Sequence, residues 1–349
     1  MDEHLQAALT ERLHRSHRFM PCLGVNAAII DGRHGTWTAA AGWRESGGEA
    51  PMPDGARFYI YSVTKTFIAA RLLQLGIDID RPYSAYHAIP ALPDEVTVRR
   101  LLNHTAGIPS YTDLPDYRPA TRRSPGQPWS TLSVLERCCR GRLDFAPGQG
   151  WRYSNTGYML LALLLEKLSG RSLAATIAEG LLDPLALKDT HVAEDVDHGG
   201  ILTPSYSRDL NEEERMADVR ALYHPGWCLT GLIASTALDT TRFLDALMAG
   251  KVVPAAQLAA MTTSVSIGMD SGPFFRRPSY GLGLMIDPDW GHGGLFGHGG
   301  DGPGTNAWAM HLPDFHGRPL TMSILCNTSM GGHPFPLVKD LLGTLADNG

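Results

Sequence analysis

The chain has 349 residues, 43% of them apolar and 19% charged, with a formal net charge of −6. That length can bury a large core in one domain or two lobes, and the composition excludes a disordered chain. The acidic balance gives no reason to expect nucleic acid or an anionic membrane as partner, and no apolar run reaches the ~18 residues of a membrane span.

The opening segment, MDEHLQAALTERLHRSHRF, starts with two acids and has no apolar stretch of the secretory kind. Residues 4–17 read as an amphipathic helix, with Leu5, Leu9 and Leu13 four apart. Strands are predicted at Cys22–Ile30 and Thr36–Trp43, joined by a turn over residues 31–35. The aromatic run Phe58–Tyr61 reads as the end of a strand. Thr64–Leu75 follows with helical spacing at Phe67, Ile68, Leu72 and Leu75.

From about Arg81 to Thr262 the pattern is of helices and loops. The clearest helices are Val96–Asn103, Leu132–Arg140, Thr156–Leu168 and Asp239–Met248. Two long segments, Ser110–Trp129 and Ser205–Pro225, exceed a plain connection and are candidate walls of a site. Strand signals return at Tyr280–Ile286, Asn306–Leu312 and Pro319–Cys326, and a last helix is expected over Pro336–Ala346. The fold class is therefore α/β. One lobe comes from both chain ends, residues 1–80 and 265–349, and a mainly helical lobe, 81–264, is inserted into it. A ligand cleft is expected between them. The five cysteines, Cys22, Cys138, Cys139, Cys228 and Cys326, are odd in number and lack metal-ligand spacing. Free thiols in a reducing, cytoplasmic compartment are expected.

Three motifs carry chemistry. Ser62 stands at the entrance of the 64–75 helix with Lys65 one turn on, so an amine can reach a hydroxyl on the same face. Free backbone N–H groups and the positive end of the helix dipole meet there, which suits a nucleophile and an oxyanion. The alternative is an ordinary helix cap with a solvated lysine. Lys65 sits in an almost uncharged run, in a chain with only five lysines against 25 arginines. Apolar surroundings push an amine toward neutrality, as a base requires. In the second motif, Tyr153 and Asn155 precede a helix and offer a phenol and an orienting amide; Asn155 as a helix cap and Tyr153 as core is the alternative. In the third, His298-Gly299-Gly300-Asp301 precedes a strand, and the glycines permit close backbone approach or merely a tight turn. His292 and His298 lack the accompanying ligands of a metal site, so no metal or other cofactor is expected. No G-x-S-x-G elbow occurs, which argues against an α/β-hydrolase.

Ser62-Val63-Thr64-Lys65, Tyr153-Ser154-Asn155 and His298-Gly299-Gly300, in this order and at these separations, resemble the penicillin-binding-protein and class C β-lactamase-like serine hydrolases. The stretches LLNHTAGIPSY at Leu101, GYMLLALLLEKLSG at Gly157 and YGLGL at Tyr280 are also similar to that family. The resemblance implies a β-lactamase-like two-lobe fold with an antiparallel sheet flanked by helices. It implies an acyl-enzyme on Ser62, with Lys65 and Tyr153 as general base. Asn155, His298, Gly299, Gly300 and Asp301 would form the substrate site, the last through its backbone N–H. The implied substrate is a small ester, amide or peptide; biosynthetic acyl transfer, or β-lactamase or carboxypeptidase activity, are the alternatives. One departure stands out. β-Lactamases and transpeptidases usually carry a lysine where this chain has His298, and Asp301 adds a negative charge beside it. Anionic substrates are therefore expected to fit poorly.

Overall fold

The computed structural model describes every residue except 90–91, 141–142, 198–199, 269–273, 330–333 and 349. Its centre is an eight-stranded antiparallel sheet. The strands are β1 (Gly24–Asp31), β2 (Gly35–Gly42), β3 (Val265–Ser266), β4 (Ser279–Tyr280), β5 (Met285–Asp287), β6 (Leu295–Gly302), β7 (Thr305–Leu312) and β8 (Leu320–Cys326). Their spatial order is β2-β1-β8-β7-β6-β5-β4-β3, so the two chain ends interleave, with β1 paired to both β2 and β8.

The inner strands are buried on both faces, which is why they read as continuous apolar runs rather than alternating ones. Val25, Ala27, Ile29, Trp308 and Met310 face one side. There they pack with Leu5, Leu9 and Leu13 of helix α1 (Glu3–His17) and Leu337 and Leu341 of α10 (Phe335–Asn348). Ala28, Ala307 and Ala309 face the other side and join the core of the helical segment. In that core Phe67 of α2 (Thr64–Gln74) stacks on Phe243 of α8 (Ala237–Met248), with ring centroids 3.5 Å apart. Helix α8 packs on β1, β7 and β8 although it belongs to the span 81–264, so that span also supplies one layer over the sheet.

Four expected elements differ in detail. The Gly-rich segment around His298 is not a loop but strand β6, in the sheet between β5 and β7. The single strand expected over Tyr280–Ile286 is two short ones, β4 and β5, broken at Gly283 (φ 74°). Helix α2 causes the break: Thr66 Oγ1 donates to the Gly283 carbonyl at 2.7 Å, and an added Cβ at Gly283 would crowd Ala69. The segment 110–129 holds a short helix, α4 (Tyr117–Arg123), whose Pro119 falls in the first turn, where a missing N–H costs nothing. Segment 205–225 holds a small hairpin pairing Tyr206–Ser207 with Ala217–Asp218.

The β1–β2 turn is tied to the sheet by a buried ion pair. Arg318 Nε donates to both carboxylate oxygens of Asp31, at 2.8 and 2.9 Å, and the Arg33 and His34 amides donate to the same carboxylate. Removing one partner of such a pair strands the other charge. Arg318→Leu is expected to lower stability by about 3–5 kcal/mol, read from urea unfolding; an unchanged midpoint would contradict the pair's role.

Candidate active site

The chain enters the site through a strained turn. Phe58–Tyr59 pairs with Ala234 and Ser235, and Ile60 N–H continues that pairing to the Ile233 carbonyl at 2.9 Å. Tyr61 then takes φ 42°, a left-handed conformation that bulky residues rarely adopt. Its hydroxyl donates to the Pro303 carbonyl, and its ring packs over Gly302, where a Cβ would overlap it. Residues Tyr61–Val63 form one 3₁₀ turn, and α2 begins at Thr64. Val63 occupies the cap position of α2 with no side-chain cap bond. Ser62 is thus not the cap of this helix, and its hydroxyl is engaged elsewhere.

Lys65, only 1% exposed, supplies that partner. Its Nζ lies 3.0 Å from Ser62 Oγ and 2.8 Å from Asn155 Oδ1, and sits 4.9 Å from the centroid of the Tyr153 ring. Burial pushes the Lys65 ammonium down to about 7, against ~10.4 in water. Asn155 is the first residue of α6 (Asn155–Ser169), and the cap is its neighbour, Ser154, whose Oγ accepts from Gly157 N–H at 3.1 Å. Asn155 is thereby released for Lys65. Its Nδ2 donates to Thr112 Oγ1 at 3.0 Å, which aims the carbonyl end of the amide at the amine. Burial raises the Tyr153 phenol, so it keeps its proton, and a hydrogen bond with Ser62 partly offsets that shift.

The third motif is only partly at the site. A cavity of about 450 Å³ opens above Ser62, Lys65 and Asn155, and of the four residues expected from this motif only Asp301 lines it. His298 is 1% exposed; its Nε2 meets the Tyr280 hydroxyl at 2.7 Å and its Nδ1 the Gly299 carbonyl at 2.6 Å. Like Tyr153, His298 does not itself line this cavity; the two rings lie side by side with centroids 6.3 Å apart. The close backbone approach expected at the glycines is seen against the Ser62 turn. An added Cβ at Gly300 would overlap the Ile60 carbonyl, so the bare strand seats the Ser62 turn. Gly299 pairs with Trp308 within the sheet and does not line the cavity.

The segments 110–129 and 205–225 supply the cavity's walls. Tyr111 and Tyr117 come from the first, Tyr223 from the second, and Asp113, Arg118 and Asp209 bring charge. Ser110 and Thr112 anchor Asn155, and Thr112 also lines the cavity. Sequence reading missed this anchoring role, because hydroxyl residues in an irregular segment carry no periodic signal.

A family model described as Beta-lactamase matches residues 16–343. The chain belongs to the beta-lactamase family. Within the family, Penicillin-binding protein 4* of Bacillus subtilis is 26% identical over 89% of this chain and 69% of its own length. Esterase EstB of Burkholderia gladioli is 27% identical, covering 90% and 88%. Among solved structures, a D-stereospecific amidohydrolase from Streptomyces sp. is 30% identical, with a TM-score of 0.78 over 97% of both chains.

With five lysines in the chain, ¹³Cε-lysine NMR gives few signals to assign. One should titrate near pH 7 and vanish in Lys65→Met, and in Asn155→Ala its midpoint should fall, because an acceptor for the charged amine is lost. Five signals all titrating above about pH 9.5 would refute a depressed Lys65.

Proposed function

We propose that the protein is a serine hydrolase that cleaves small esters or amides through an acyl-enzyme on Ser62. The observation that carries this is a buried amine, hydrogen-bonded to the Ser62 hydroxyl and pushed toward neutrality by desolvation. The beta-lactamase family, with esterase and amidohydrolase relatives, supports the same reaction class.

In this reading Ser62 Oγ attacks the substrate carbonyl and its proton passes to Lys65. Tyr153, which keeps its own proton, hands that proton to the leaving group and is refilled from Lys65. The C–O or C–N bond then breaks, leaving an ester on Ser62. Water enters with the same groups acting in reverse, and the acid product leaves. Because Lys65 and Tyr153 flank one hydroxyl, the proton belongs to the pair. The oxyanion is assigned to the backbone N–H groups of Ser62 and Asp301, which share the cavity. Asn155 holds Lys65 in line.

The charge pattern narrows the substrate. His298 stands at the family's third-motif lysine position and the exposed Asp301 carboxylate lines the cavity with Ser62. Of the two arginines in the wall, Arg122 is paired with Asp209 and Glu214, and Arg118 is set against Asp113 and Asp209 in the same lining. An acyl group that is neutral or cationic beside the carbonyl is favoured over an anionic one. The compartment is read from the cysteines, which are all free, and this supports the reducing cytoplasm. Among the described residues no helix is long and apolar enough to cross a membrane.

Intact-protein mass spectrometry after exposure to a panel of acyl esters, amino-acid amides and β-lactams tests the reading. Wild type should retain an acyl group that Ser62→Ala does not. Lys65→Ala and Tyr153→Phe should each slow acylation by ~10²–10⁴-fold, with far less than the product of the two in the double variant. Turnover undiminished in Ser62→Ala would end the assignment.

Asp301→Asn should favour an anionic over a neutral ester by roughly tenfold relative to wild type, as expected for a charge met at partly screened range. An unchanged ratio would leave selectivity to the walls.

A further inference from the structure

We propose that His104 is the positioning residue that holds Tyr153 in place for proton transfer. The proposal rests on the reading above, in which Tyr153 carries the proton to the leaving group.

The backbone shows why a histidine at this position calls for an explanation. His104 follows α3 (Val98–Leu102) and its cap Asn103, and takes φ 63°. Thr105 N–H donates to the Arg100 carbonyl at 2.9 Å and His104 N–H to the Leu101 carbonyl at 3.4 Å. This double bond pattern ends a helix with a left-handed residue, where glycine is usual and asparagine next. Histidine is tolerated in that conformation but glycine suits it better, so the contacts of the side chain are the place to look for its role.

Its contacts converge on one residue. The His104 carbonyl accepts from Arg152 N–H at 3.1 Å, and His104 Nδ1 accepts from Ser154 N–H at 3.1 Å. These are the two neighbours of Tyr153 in the chain. The imidazole also lies against the Tyr153 ring itself, with centroids 4.3 Å apart. Tyr153 is thus gripped on both flanking amides and across its face. Tyr280, 4.6 Å from the imidazole, backs the arrangement and carries the bond to His298.

The Ser154 donor places the His104 proton on Nε2. That atom is buried without a hydrogen-bond partner, a cost that the grip on residues 152–154 offsets. Burial and the nearby Lys65 hold His104 well below the usual imidazole range, so it stays neutral and Nδ1 remains an acceptor. His104 does not line the cavity. Its effect passes through Tyr153.

Two variants separate this from a generic structural role. Glycine and asparagine both suit a left-handed turn, and the Oδ1 of asparagine takes the place of Nδ1. Each is made in the wild-type and Tyr153→Phe backgrounds, with kcat and KM measured on one ester and folding checked by thermal unfolding. His104→Gly should lower kcat by about 10–100-fold with KM within about threefold, the signature of misplaced proton transfer. His104→Asn should recover at least about fivefold of that loss. In the Tyr153→Phe background His104→Gly should cost less than about twofold more, because the two act through one group.

Equal activity of His104→Gly and wild type, no rescue by asparagine, or an undiminished penalty in the Tyr153→Phe background would each overturn the proposal. If His104→Gly fails to fold, His104→Asn against His104→Gln, which moves the acceptor out by one carbon, gives the same comparison. A Tyr153→Phe enzyme with full activity would refute the role of Tyr153 itself. A large Tyr153→Phe defect with an additive His104 effect refutes only the positioning.

Discussion

Burying an amine is the constraint from which the rest of the site follows. Lys65 sits one helical turn from Ser62 with almost no access to water. Desolvation opposes its charge, so its surroundings must give hydrogen bonds without a carboxylate, which would hold the proton on. The structure meets both demands. Asn155 accepts from the amine through a neutral amide, and Tyr153 and Tyr158 present ring faces at 4.9 and 5.5 Å. A negatively charged group in any of these places would return the lysine to an ordinary cation and remove the base.

The sheet contributes a seat rather than chemistry. The bare backbone of β6 at Gly300 and Gly302 lets the Ser62 turn press onto the strand, and Tyr61 is held in its left-handed conformation by Pro303 and the packing at Gly302. Conformational strain of this kind persists only where surrounding contacts over-determine it. Here those contacts come from the strand that also carries Asp301, so the nucleophile and the proposed oxyanion donor are located against each other directly.

Much of this was legible in the sequence, for reasons that differ between residues. Ser62 and Lys65 stood out because a nearly uncharged helical run made one lysine conspicuous. Helices with strong spacing, such as 4–17 and 156–168, matched observed ones to within a few residues. The sheet of terminal strands was legible because β1, β7 and β8 are buried on both faces. What periodicity could not show was which side of a Gly-rich strand faces what. His298 therefore read only as a ligand-facing residue, and its burial and its bond to Tyr280 were not foreseen. Asn155 read as a possible cap because the capping hydroxyl, Ser154, is its immediate neighbour. His104 lay inside LLNHTAGIPSY, a stretch similar to the family, but its role was unread: its partners are two backbone amides about fifty residues away, and no periodicity reports them.

The two wall segments are joined to each other as well as to the catalytic core. Arg122 of α4 reaches across to Asp209 at 3.4 Å and Glu214 at 2.8 Å, all three partly or largely open to solvent. Exposed pairs of this kind weaken as salt rises, whereas the contacts around Lys65 are sheltered from it. Ionic strength therefore acts on the molecule unevenly: it loosens the cavity's outer rim while leaving the proton chemistry beneath unaltered. The same separation gives evolution a free surface, since residues 110–129 and 205–225 can be redrawn for a new acyl group, provided Ser110 and Thr112 keep their hold on Asn155.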